Sequence, residues 1–357
     1  IQKAPLDFAL YGLTGDFGDG SGKPVGLTFV VNKLVEQTGN AEGAWYRNHF
    51  LGAAGSIQDI LWPVPAVEEK EPLKPSRHFP SIDWAFMRSG FTNPAQVTVA
   101  CKAGYNDDPH HGHLDIGQFM VYWQNSFFIK DLGNIDYDEP YFTNDRWSYA
   151  NVASTGHNLI HVNGEQQMSA KTKDTPWKES VGGKILEFRS SLEQDYVLMD
   201  PSGAYPGHHL KKWRRHIVLV KPEVTLVVDE VSCAPGATVE ARFFPGVPGM
   251  EVGEREILLT GDKGHTMALI PLCQQKVVTG AGRLPFLPVK KEAQVTWIPY
   301  FTSTVKAEKP VTVLAALIVP VKDRADAAMI SRGCRVTPSG EGWQLSFTRQ
   351  NRRISLT

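Results

Sequence analysis

The sequence predicts a mainly β protein, a large antiparallel β-sandwich preceded by a few α-helices. Three observations lead there. From about residue 80 onward, short runs alternate apolar and polar residues with the period of a half-buried strand. Turn-forming pairs separate those runs, with no helical pattern between them, which excludes a parallel α/β sheet. Before residue 62 the apolar residues instead recur at helical spacing.

The elements follow in chain order. In GLTFVVNKLVEQT (26–38), Leu27, Val30, Val31, Leu34 and Val35 make one stripe, and Gly39 is a stop. AEGAWYRNHFLG (41–52) reads as a second helix. SIQDILW (56–62) reads as a third, with Ser56 as N-cap and Pro63 as its end. Pro63, Pro65, Pro72, Pro75 and Pro80 then mark residues 63–80 as an extended linker. The β domain spans 81–357, with runs such as IDWAFMRSGF, VTVACKA, FMVYW, KILEFRSSL, RRHIVLV, VTLVVDEV, VEARFF, VTWIPYF, VTVLAALIV, WQLSFT and RRISLT. Asn163-Gly164 and Gly182-Gly183 read as turns between strands.

Lys and Arg number 37 and Asp and Glu 38, so no global field exists to gather nucleic acid or an anionic membrane. The one basic cluster is HHLKKWRRH (208–216), with Lys211, Lys212, Arg214 and Arg215; it reads either as a polyanion contact or as a solvated strand. No apolar window reaches the ~18–20 residues of a membrane span. The four cysteines, Cys101, Cys233, Cys273 and Cys334, lack metal-site spacing, and buried free thiols are the better reading. The chain starts with Ile1, which suggests a processed protein or a piece of a longer one.

The stretch HHGHLDIGQF (110–119) carries the densest chemistry. Were it extended, His111 and His113 would share a face. A following hairpin, FMVYW–QN–SFFIKD, returns Asp131 toward the level of His113, and His157-Asn158 heads a later strand. Two imidazoles and a carboxylate suit a zinc shell; a hydrogen-bonded polar cluster is the alternative.

HGHLDIGQF, FIKDLGNIDYD and GHNLIHVNGEQQ, in that order, resemble the β domain of the heparinase II/III-like polysaccharide lyases. The resemblance is specific over about residues 80–170 and compatible to about 320. TGDFGDG and the helix after it are similar to the last helices of that family's α/α toroid, so residues 1–62 would be its C-terminal end. The resemblance implies zinc held by His113, Asp131 and His157, ordering loops beside an active cleft. It implies a catalytic His111 facing the substrate uronate, and Arg146 and Tyr149 in a loop that touches sugar. Asn158 would support that loop or the metal's surroundings, and Asp115 would orient His113 or cap a turn. Arg88 and the basic cluster would meet an acidic polysaccharide. The catalytic Tyr and Asn are expected upstream, in the toroid part of the same parent protein.

The activity so implied is β-elimination on a uronic-acid-containing polysaccharide, by a periplasmic or secreted enzyme. Two rival readings stand beside it. One is a non-catalytic carbohydrate-binding or structural sandwich. The other is a zinc hydrolase, which would want a glutamate poised beside the metal, and no HExxH motif is present.

Overall fold

The computed structural model describes residues 9–10, 13–14, 17–18, 20, 28–51, 57–63, 66–106, 111–135, 137, 140–169, 181–286, 295–339, 342–349 and 352–356. Among the described residues a short antiparallel pair, Ala9–Leu10 with Leu13–Thr14, precedes three helices: α1 (Thr28–Thr38), α2 (Ala41–Phe50) and α3 (Ile57–Leu61). Gly39 ends α1 with φ +63°, a left-handed conformation that costs glycine little, and donates its N–H to Val35 O at 2.8 Å. Asn40 then caps α2, its side chain accepting from Gly43 N at 2.7 Å. Ser56, the expected cap of α3, lies outside the described residues. Val31, Val35, Trp45 and Tyr46 bury against one another and against Phe91 of the β region.

The centre of the molecule is a nine-stranded antiparallel sheet. Its order runs Gly249–Val252, Ile257–Thr260, Thr266–Leu272, Val311–Val321, Val224–Ser232, Lys212–Val220, Gln194–Asp200, Gly182–Ser190 and Gly104–Tyr105. The strand Val311–Val321 shows why sequence alternation weakens here. Leu314, Ala316 and Ile318 enter the main core on one face, while Ala315, Leu317, Val319 and Val321 enter a second core on the other. A strand buried on both faces reads as a continuous apolar run. The second core is closed by Leu345 and Phe347 of a three-stranded sheet and by Ala327 and Ile330 of a helix, α4 (Arg324–Gly333).

The main core is closed by two smaller sheets. One has five strands: Arg77–Phe79, Trp84–Arg88, Thr98–Lys102, Phe119–Trp123 and Ser126–Ile129. The other has four: Val278–Phe286, Thr296–Lys306, Thr238–Phe243 and Ile160–Val162. A bridge from Ile129 to Pro245 joins them into one layer. The predicted β-sandwich with leading helices is therefore the observed fold, and among the described residues all strand pairs are antiparallel. The cysteines are free, and Cys101, Cys233 and Cys334 are buried. Among the described residues no helix is long and apolar enough to cross a membrane.

Four local readings change. Arg77–Phe79, inside the expected linker, already pairs with Trp84–Phe86. The helix α4 interrupts a region read as all strands; Asp323 caps it, accepting from Asp326 N at 2.9 Å. Gly182-Gly183 is no turn but the start of a strand. A Cβ there would stand 2.3 Å from Gly104 O and 2.6 Å from Asp200 O, so these glycines permit close strand approach. Finally, residues 111–117 belong to no strand: the strand begins at Phe119.

Candidate metal centre

The site lies on the loops at one end of the five-stranded sheet. Gln124 and Asn125 both take positive φ, at 50° and 61°, and so close a tight hairpin between Phe119–Trp123 and Ser126–Ile129. With Val121 opposite Ile129, the chain past Ile129 runs back beside the start of the first strand and delivers Asp131 there. A short 3-10 turn, Ser154–Gly156, aims His157 at the same point before Ile160–Val162 joins the four-stranded sheet. Gly156 is required in that turn, since a Cβ would fall 1.6 Å from Ala150 O.

His113, Asp131 and His157 converge as the sequence pattern predicts. Their ligating atoms lie within 4.8 Å of one another, close enough for a small side-chain adjustment to let them share one ion. His113 is 1% exposed and His157 is fully buried. His157 Nδ1 stands 3.3 Å from Asp131 Oδ2, yet neither ring nitrogen of His157 has a hydrogen-bond partner among the described residues. Two unsatisfied nitrogens in a dry site are costly unless something else binds them. Two imidazoles, a carboxylate and a buried ring nitrogen left without a partner fit a zinc ion. Burial raises the Asp131 carboxyl, but adjacent His157 and His113 and the Gly133 N–H outweigh it, holding the group down at about 2. An ionised carboxylate is the form that ligates.

The supporting residues were not all foreseen. Gln118 donates from Nε2 to Asp131 Oδ2 at 3.0 Å and accepts from Asn158 N at 2.6 Å, so one buried amide spans two arms of the site. The Tyr141 hydroxyl lies 3.4 Å from His113 Nε2. Asn158 is a clamp, donating to Phe119 O (2.8 Å) and Lys130 O (2.9 Å) and accepting from Phe244 N (2.7 Å). It ties the chain at Phe119 and Lys130 to the chain at Phe244. Asp115 pairs with Lys102 Nζ at 2.6 Å in the interior rather than with His113. Gln118 stands in the same stretch as the histidines, but its neutral amide attracts no notice beside them. Lys102 and Tyr141 carry no spacing signal at all.

Other expected residues take different places. His111, in the loop rather than on a strand, is exposed while His113 turns inward; the rings of Tyr137 and Phe142 lie 6.1 and 6.4 Å from it. The loop backbone is held by Leu114 N to Val152 O and by Ile116 N to Gln167 Oε1, which replaces strand pairing. Arg146 and Tyr149 sit in the site loop but are 1% and 9% exposed. Arg146 donates to Gly112 O at 2.8 Å and stacks on Tyr141, so it shapes the loop beneath the surface. Arg88 is not brought to the site. It is 1% exposed and pairs with Thr98, the far end of its strand from Lys102, with its guanidinium over Phe86 and Phe91.

Strand alternation also splits the basic cluster. Lys212 and Arg214 face outward, Arg214 meeting Asp200 at 3.2 Å, while Arg215 is fully buried with Trp213. Arg215 pairs with Asp229 through Nε at 2.7 Å and Nη2 at 3.0 Å, and donates from Nη1 to Gly117 O and Asn158 O. It is a pillar under the site.

An antiparallel β domain with a buried cluster of two histidines and an aspartate on its loops defines the class. The Heparinase II/III-like, C-terminal family matches over residues 71–355, and the chain belongs to that family. Among solved structures it is similar to heparinase III, at 16% identity with a TM-score of 0.74, covering 99% of this chain and 53% of that one. It is similar also to the heparan sulfate lyase HepC from Pedobacter heparinus, at 13% identity and TM-score 0.71, covering 98% and 50%. A xanthan lyase from Paenibacillus shares the fold more loosely, at 11% identity and TM-score 0.50, covering 98% of this chain and 40% of that one. The chain thus spans about half the length of the first two. No curated protein sequence matches it.

Proposed function

We propose that this chain is the metal-bearing part of a polysaccharide lyase, acting on a uronic-acid-containing polysaccharide by β-elimination in the periplasm or outside the cell. The observation that carries the reading is a buried His113–Asp131–His157 cluster two residues from an exposed histidine, in the lyase-type domain the chain belongs to. His113, Asp131 and His157 would hold zinc, whose chemistry here is to fix three loops by coordination. Gln118 and Asn158 keep those loops in register. Asp115 and Lys102 neutralise each other beneath them.

The reaction sets what the exposed surface must do. The C5 proton of a uronate is weakly acidic because the adjacent carboxylate is already negative. Donors that neutralise that carboxylate stabilise the charge developing as the proton leaves. The C5–H bond breaks, the C4–C5 double bond forms, the C4–O bond breaks, and an acid protonates the leaving oxygen. His111 is the group this chain offers from solvent for contact with the carboxylate and for assisting proton transfer. Arg146 and Tyr149 act by holding the loop that carries it, and the catalytic tyrosine is expected from the toroid part of the protein.

The test is product chemistry with the full-length protein on heparan sulfate, alginate and hyaluronan. Elimination leaves an unsaturated uronate that absorbs in the ultraviolet, and His111→Ala should lower kcat/KM by about 10²-fold or more. New reducing ends without absorbance would contradict elimination and indicate a hydrolase. Tight sugar binding with no cleavage would indicate a binding domain.

A further inference from the structure

We propose that the outer face of the four-stranded sheet carries a second binding site, for a neutral polyhydroxylated ligand of about monosaccharide size. It shares no residue with the His113–Asp131–His157 cluster and does not depend on the reading of that cluster.

The sheet's alternation builds the site. Ile160, Val162, Val239, Ala241 and Phe243 enter the main core, so His161, Glu240 and Arg242 project from the opposite face. Glu240 is directly across from His161 in the register. Together with Thr155, Asn163 and Thr238 these residues line a cavity of about 290 Å³. Small-molecule sites begin at roughly 300 Å³, so the space suits one sugar ring and little more.

The chemistry of the lining selects the ligand. His161 is 2% exposed, and its Nδ1 lies 3.3 Å from Glu165 O; a carbonyl only accepts, so that nitrogen carries the proton. Nε2 is then a bare acceptor, buried and without a partner among the described residues. Burial first, then Arg242, pushes the His161 imidazole down to about 3, which keeps it neutral in ordinary buffers. Arg242 spends its Nε and Nη2 on Glu240 Oε1, at 2.9 and 2.7 Å, and its Nη1 on Thr155 O at 3.0 Å, while its guanidinium stacks on Tyr300. Arg242 takes Oε1 of Glu240 and leaves Oε2, and Glu240 and His161 both line the cavity. The cavity therefore offers two acceptors and a neutralised ion pair. Hydroxyl donors satisfy that arrangement, whereas an anion meets a carboxylate and a lone pair.

The experiment uses the full chain and two probes, methyl α-glucoside and glucuronate, followed through the His161 side-chain nitrogens by long-range proton–nitrogen NMR. The glucoside should shift Nε2 saturably with a Kd of about 1–10 mM, and glucuronate should bind at least tenfold more weakly. His161→Phe should abolish the response, Glu240→Gln should weaken it about tenfold, and His113→Ala should leave it intact. Calorimetric titration of the unmodified chain with both probes makes the same comparison without any variant. No saturable response up to about 100 mM glucoside would mean that the cavity holds only water, and equal or tighter glucuronate binding would overturn the neutral-ligand assignment.

Discussion

The nine-stranded sheet and the loop cluster around His157 are both buried, but they are held by different physics. The sheet is secured by apolar area on two faces, as at Leu314–Val321, where every position packs and no position is unique. The loop cluster is secured by directional bonds. Gln118, Asn158 and Arg215 each satisfy several backbone or ligand groups that would otherwise be orphaned in the interior. Damage to the sheet should scale with volume removed, whereas damage to the loops should scale with the charge or hydrogen bond left unpaired.

The sharpest way to break that comparison is Arg215→Ala. It strands Asp229 and frees two carbonyls under the site, so unfolding free energy should fall by about 3–5 kcal/mol in a urea titration, with metal loss alongside. An effect below 1 kcal/mol would mean the pillar is not needed. In the sheet, Leu317→Ala removes a fully buried side chain and should cost about 2–5 kcal/mol by the same titration, while the folded fraction takes up as much zinc as the unmodified chain.

Smaller effects follow from charge. His161 is held at about 3 in the folded chain against an ordinary 6.5, so the unfolded chain binds more protons between those values. Its contribution to stability is therefore complete above pH 6.5 and is lost as pH falls toward 3. His161→Phe should flatten the pH dependence of the melting temperature in that window and leave it unchanged above pH 7. The smallest effect belongs to Lys212→Ala, an outward-facing change far from any buried partner, which should alter stability by less than about 0.5 kcal/mol and leave the salt dependence of polysaccharide binding as it was. A flattened salt dependence would instead mark the exposed part of the basic cluster as a substrate contact.

The same contrast explains what could be read from the chain. Strands with one solvated face, such as Lys212–Val220, announce themselves by alternation, and so does the apolar stripe of α1. The order of the sheets does not, because Gly182–Gly183 pairs with Gly104–Tyr105 across some eighty intervening residues. The helix α4 had its signal, an Asp three residues ahead of another and then alanines, but lay among strands. The three proposed ligands stand out as His and Asp in a recognisable order. Their supports do not, since Gln118 is neutral and Lys102 and Tyr141 arrive from other parts of the chain. His111 and His113 do not share a face, as an extended segment would require, because Leu114 and Ile116 give their N–H groups to the site loop and to Gln167 instead of to a neighbouring strand.

The most direct test of the account is metal content by mass spectrometry on the purified chain and on His113→Ala, each checked for folding by circular dichroism. About one zinc per chain, lost in a variant that stays folded, is the predicted result. A folded chain that takes up no zinc when it is supplied, with His113→Ala indistinguishable from it, would contradict the metal centre and leave the three residues as a hydrogen-bonded cluster.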